Sequence, residues 1–218
     1  MSRRSPTQLS LLPQRALGRP DHGGDFAKGK RKGRRPLDPK RPIHLVLRSG
    51  RAKGAWSFLH RHHRSKVETL VYSTAVARGV RVYRLSNVGN HLHLLLRTPS
   101  REAFQDFLRT LTALLARAVT GARKGRPLRT GGEKLLFWDG LAYTRVLHWG
   151  RHFEAVMAYL SKNDLEAIGF GGAKLRFRSN GQAVAVLGAS VESLMAQGLD
   201  RAEARKALKT AEVWIKGG

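Results

Sequence analysis

From position 42 the chain shows a regular hydrophobic pattern. Ile43, Leu45 and Leu47 alternate with His44, Val46 and Arg48, the period of two that a half-buried strand requires. Across 56–78 the period changes: Val67, Leu70, Val71, Thr74 and Ala75 keep helical spacing, and Gly79 supplies a C-terminal stop. Residues 80–86 predict a second strand, Asn87-Val88-Gly89-Asn90 has turn composition, and 91–97 predict a third strand paired with the second as a hairpin.

Ser100 then caps another helix with Glu102 in its first turn, and Phe104, Phe107, Leu108, Leu111, Leu114, Leu115 and Ala118 form its apolar stripe. A basic, glycine-containing loop spans 121–132, a fourth strand is expected over 141–148, and a helix over 150–163. The order strand, helix, strand, strand, helix, strand, helix predicts an α+β fold, a ferredoxin-like (split βαβ) antiparallel sheet with helices on one face. Three parts result: a disordered basic tail over 1–41, a domain over 42–170, and a small helical extension over 171–218. The extension carries a strand or loop at 182–187 and short helices near 190–196 and 200–215.

Charge changes the picture most. Among 218 residues, 41 Lys and Arg stand against 15 Asp and Glu, a formal +26 that repels itself unless a polyanion neutralises it. Nucleic acid is therefore the expected partner, and the Arg-, Lys-, Gly- and Pro-rich tail suits phosphate attraction without sequence specificity. The absence of cysteine excludes a disulfide framework, a thiolate zinc site and a cysteine nucleophile. Neither a signal-peptide pattern after Met1-Ser2-Arg3-Arg4 nor an apolar run of about twenty residues is visible, so a cytoplasmic protein with no membrane partner is expected.

The third strand separates its side chains by face. Leu92, Leu94 and Leu96 point one way, toward the helices, while His91, His93 and Arg97 point the other. Two imidazoles two residues apart on a strand can share one cation. The same spacing in His60-Arg61-His62 falls in the predicted helix, where such side chains diverge by about 200°, so His60, His62 and His63 are assigned to phosphate contact or solvent. On the last predicted helix, Phe153, Val156, Met157 and Leu160 form the core stripe, and Tyr159 and Asn163 project together at i and i+4 beside it.

Asn90-His91-Leu92-His93-Leu94-Leu95 resembles the His-hydrophobic-His motif of HUH endonucleases. Tyr159-Leu160-Ser161-Lys162-Asn163 resembles the tyrosine helix of single-tyrosine transposases, particularly the REP-associated tyrosine transposases of the insertion-sequence superfamily. The resemblance covers roughly residues 42–170. It implies a divalent ion, Mg2+ or Mn2+, held by His91, His93 and Asn163, no further small-molecule cofactor, and Tyr159 as the nucleophile that forms a 5′-phosphotyrosine with DNA. It also implies single-stranded or hairpin DNA as substrate and a homodimer. Gly89 stands where many relatives have Pro, and Asp164 follows Asn163 where many again have Pro, which leaves Asp164 as an alternative ligand.

A phenol with an ordinary pKa near 10 needs the bound cation and nearby Lys or Arg to gain phenolate character, and Arg97 and Lys162 are the candidates. With Arg123, Lys124 and Arg126 of the basic loop they are also the candidate DNA contacts. Tyr143, in the fourth strand, is the rival nucleophile, although strand tyrosines usually pack. Two other functions stay open: a non-catalytic nucleic-acid-binding module, whose sheet would ordinarily display aromatics for base stacking, and an HUH replication initiator. Relaxases place the tyrosine before the histidines and fit the order less well.

Overall fold

Ile43, Leu45 and Leu47 on one strand and Leu92, Leu94 and Leu96 on its neighbour are all buried, and they form the floor of the main core. The computed structural model describes residues 21–24, 33–123, 129–130, 133–167, 174–177, 183–187 and the single position 205. Its elements are β1 (Asp21–His22), β2 (Ile43–Arg48), α1 (Arg64–Ala77), β3 (Arg81–Asn87), β4 (His91–Arg97), α2 (Arg101–Thr120), β5 (Arg129–Thr130), β6 (Glu133–Lys134), β7 (Tyr143–Val146), α3 (Arg151–Ala167), β8 (Lys174–Phe177) and β9 (Ala183–Leu187). The main sheet runs β1-β7-β2-β4-β3 with every pair antiparallel. β2 through β7 thus realise the expected split βαβ arrangement in an α+β fold.

Local chemistry explains the boundaries. Ser100 accepts from the Ala103 amide at 3.1 Å to start α2, and Gly121 ends it at φ 72°, in the left-handed region that favours glycine. α1 begins at Arg64, later than its periodicity predicts. Upstream, Phe58 is fully buried against Phe137 and Trp138, and its carbonyl accepts from Asn87 Nδ2 at 2.9 Å. Packing and a turn therefore override helix there, with a short 3-10 turn at Gly54–Trp56.

Two layers cover the sheet rather than one. Val67 and Val71 of α1 and Phe104, Phe107, Leu111 and Leu115 of α2 pack on the leucine face. α3 lies on the opposite face, where Leu160 meets Leu95 and Leu147 in a second small cluster. The expectation of helices on one face therefore holds for α1 and α2 and fails for α3. The reason is Leu95, whose side chain shares the histidine face and gives α3 an apolar seat. A β-bulge between Val82 and Arg84 helps, turning both Tyr83 and Arg84 toward α3.

The basic tail also differs from expectation where it is described. Asp21–His22 pairs with β7, and Arg35 donates to the Ala142 carbonyl at 3.0 Å and to Thr144 Oγ1 at 2.5 Å. Burial, and Arg101 close by, push the Arg35 guanidinium down to about 10. Long-range partners that composition does not reveal hold this stretch against the sheet. β5–β6 and β8–β9 are separate two-stranded hairpins, and β9 occupies most of the 182–187 segment. The two helices expected near 190–196 and 200–215 lie outside the described residues, except for position 205.

Candidate active site

β4 sets the site by simple alternation. With Leu92, Leu94 and Leu96 drawn into the core, His91, His93 and Leu95 must face α3. Leu160 docks on Leu95, and its neighbour Tyr159 is thereby held above the histidines, 48% exposed. The Tyr159 ring stands edge-on to His93 at 5.8 Å between centroids and to a third imidazole, His44 of β2, at 6.3 Å. His91 and His93 stack at 6.0 Å, and His44 and His93 at 5.5 Å.

The ring nitrogens divide their work. His91 Nδ1 lies 2.6 Å from Asn90 Oδ1, an acceptor, so it donates there and leaves Nε2 with its lone pair. His93 Nδ1 lies 3.3 Å from His44 Nε2 in a buried contact; with the proton on His93 Nδ1, its Nε2 is likewise free. Histidines that ligate a metal almost always bind through one nitrogen and hydrogen-bond through the other. The two imidazoles therefore fit a divalent ion that accepts nitrogen donors. Burial, followed by His44 and His91, pushes His93 down to about 3, and burial, followed by Arg145, pushes His44 down to about 4. His91 is lowered by burial and by Arg48, with Asp139 opposing. All three are pushed toward the neutral form, the one that ligation requires.

Asn163 follows Tyr159 by one turn of α3 and is buried at 9% exposure. Asp164, the alternative ligand, is engaged elsewhere: Arg84 donates to its Oδ2 at 2.5 Å. Burial pushes the Asp164 carboxyl up while Arg84 pulls it down. Arg84 is the cross-strand partner of Leu95, so this turn of α3 lies beside the row that carries His93. Among the described residues no group of three or more His, Asp or Glu is arranged to hold a metal.

The cationic candidates are less central. Lys162 pairs with Glu166 at 3.6 Å on the exposed side of α3, and Arg97 lies four residues along β4 from His93, about 13 Å by strand rise. Arg123 is exposed after α2, and Lys124 and Arg126 lie outside the described residues. Tyr143, the rival nucleophile, donates to Asp21 Oδ1 at 2.8 Å, and burial together with that carboxylate pushes its phenol up to about 12. Its hydroxyl is tied to Asp21, whereas the Tyr159 ring stands beside His93 and His44.

His60, His62 and His63 precede α1 rather than lying in a helix. Contrary to expectation they converge, with His60 centred 5.1 Å from His62 and 5.6 Å from His63. His60 is lowered by desolvation and by these neighbours.

Sequence reasoning passed over His44, Arg48 and Asp139. His44 gave a signal, as the one imidazole at a polar position of the first strand, but its role depends on the register that sets β2 beside β4. Arg48 is directly opposite His91 in that register and pairs with Asp139 at 3.2 Å. Beside them a cleft of about 540 Å³ opens, lined by His91, Arg48, Asp139, Trp138, Leu108 and Arg35.

Neither a protein-family model nor a curated protein matches the chain. A solved structure from Deinococcus radiodurans R1, described as a "putative transposase", is similar over 62% of this chain and 98% of its own, with 19% identity and a TM-score of 0.37. A likeness this distant carries no functional argument. Among the described residues no helix is long and apolar enough to cross a membrane.

Proposed function

We propose that this protein is a metal-dependent DNA strand-cleaving and rejoining enzyme of the HUH single-tyrosine, transposase-like kind, acting on single-stranded, hairpin-forming DNA. The observation that carries the reading is the shared orientation of His91 and His93. Each brings Nδ1 to a protein partner, and the His93 and Tyr159 rings lie 5.8 Å apart between centroids. The +26 charge and the cleft beside His91 are what a polyanionic strand would need.

His91, His93 and Asn163 would hold the divalent ion, Mg2+ or Mn2+. Bound there, it supplies charge neutralisation and orientation for the scissile phosphate. Tyr159 Oη attacks phosphorus as its proton passes to water, the bond from phosphorus to the 3′ oxygen breaks, and that oxygen leaves as a 3′-hydroxyl. Attack by a 3′-hydroxyl on the phosphotyrosine restores the strand and frees the phenol, so no nucleotide cofactor is needed. Arg48, opposite His91, is placed to attract the phosphate, with Arg97, Lys162, Arg123, Lys124 and Arg126 as outlying contacts. We further infer a homodimer, which analytical ultracentrifugation with DNA present would test.

The decisive experiment uses labelled single-stranded hairpin DNA with Mn2+ and denaturing gels. Wild type is expected to give a covalent protein–DNA adduct that EDTA abolishes, and Tyr159→Phe none. Adducts from Tyr159→Phe would remove the tyrosine from its role. Metal-independent binding without adduct at any metal concentration would support the non-catalytic module instead.

A further inference from the structure

At the start of α3, away from the histidines, Trp149 is 47% exposed, unusual for an indole with two aromatic neighbours. Its ring lies 5.6 Å from Tyr83 and 5.1 Å from Phe153 between centroids, and Nε1 donates to the Lys40 carbonyl at 2.8 Å. The indole is therefore fixed before any ligand arrives. Arginines lie beside its neighbours. The Arg81 guanidinium sits over the Tyr83 ring at 5.2 Å, and Arg97 is Arg81's cross-strand partner. Arg41 reaches His148, whose ring lies 5.4 Å from that of His152. Among the described residues, Asp38 pairs with Arg41, and Glu154 stands in the first turn of α3.

An aromatic face held rigid among cations is suited to stack a base while its phosphates are neutralised. Phe153, against which the indole packs, precedes Tyr159 by six residues of the same helix, about 9 Å along its axis. We propose that Trp149 is a base-stacking platform for single-stranded DNA, holding a nucleobase a few nucleotides from the phosphate that Tyr159 attacks. The proposal rests on the single-strand reading above. It also gives Arg81 and Arg97 work that their distance from the histidines denies them in catalysis.

The test is fluorescence anisotropy of the full chain with an unstructured labelled single strand of about 16 nucleotides, in EDTA so that neither metal nor cleavage contributes. A strand of the same length carrying abasic sites throughout serves as comparison. Trp149→Ala is expected to weaken binding of the natural strand about tenfold, equivalent to about 1.4 kcal/mol, and to leave the abasic strand unaffected. Trp149→Phe should stay within about threefold of wild type. Unchanged affinity of Trp149→Ala for the natural strand, or an equal loss on the abasic strand, overturns the platform. Absence of any single-strand binding by wild type overturns both it and the single-strand reading.

Discussion

Replacing His44 by Phe tests how the site is built. The substitution keeps an aromatic ring in a position that is 8% exposed, beneath Tyr159 and beside Tyr143, and deletes the nitrogen 3.3 Å from His93 Nδ1. His93 Nδ1 would then be buried with nothing opposite it, which costs about 1–3 kcal/mol of folding stability. With its ring no longer held, His93 should bind Mn2+ about 10- to 100-fold more weakly, the usual result of removing a partner behind a ligand histidine. Isothermal titration with Mn2+ in the absence of DNA measures the affinity, and urea denaturation the stability. His44→Gln, whose amide oxygen can accept at the same place, should recover most of the affinity. If His44→Phe binds Mn2+ as wild type does, His44 does not orient His93, whatever happens to stability.

Other outcomes follow from the same geometry. Tyr143→Phe should form covalent adducts at close to the wild-type rate while losing about 1 kcal/mol of stability with its bond to Asp21; loss of adducts would transfer the nucleophile to Tyr143. In EDTA, unfolding free energy should decline as pH falls from about 6.5 toward the folded values of about 4 and about 3 for His44 and His93. The sign follows because the unfolded chain takes up protons there that the folded one excludes, so the contribution is complete above 6.5. Urea melts across this range should show His44→Phe with a shallower decline.

How much of this was legible in the sequence depends on how local the cause is. β4 runs from His91 to Arg97, as its alternation and the preceding turn predict, because both signals lie within a few residues. Tyr159 and Asn163 likewise share a helix whose period is written in Phe153, Val156 and Leu160. His44 could not be assigned, since a polar residue alternating with core leucines is ordinary until β2 is set beside β4. The start of α1 is not written locally, because Phe58 answers to Phe137 and Trp138, far along the chain. The placement of the histidines at 60, 62 and 63 depends on the same distant packing. The side taken by α3 turned on a single residue, Leu95, within an otherwise regular strand.

α3 is fastened to the protein by Leu95, Leu147 and Leu160 with a fringe of half-buried neighbours, while α1, α2 and the leucine face of the sheet share the much larger core. Two clusters on opposite sides of one sheet need not melt together. Amide protons of α3 should exchange with deuterium through local detachment of that helix, whereas those of β2 and β4 wait for global unfolding. Tyr159 is thus expected to ride on the least protected helix of the three, its reach set by this small cluster and the Arg84–Asp164 pair rather than by the stability of the whole molecule.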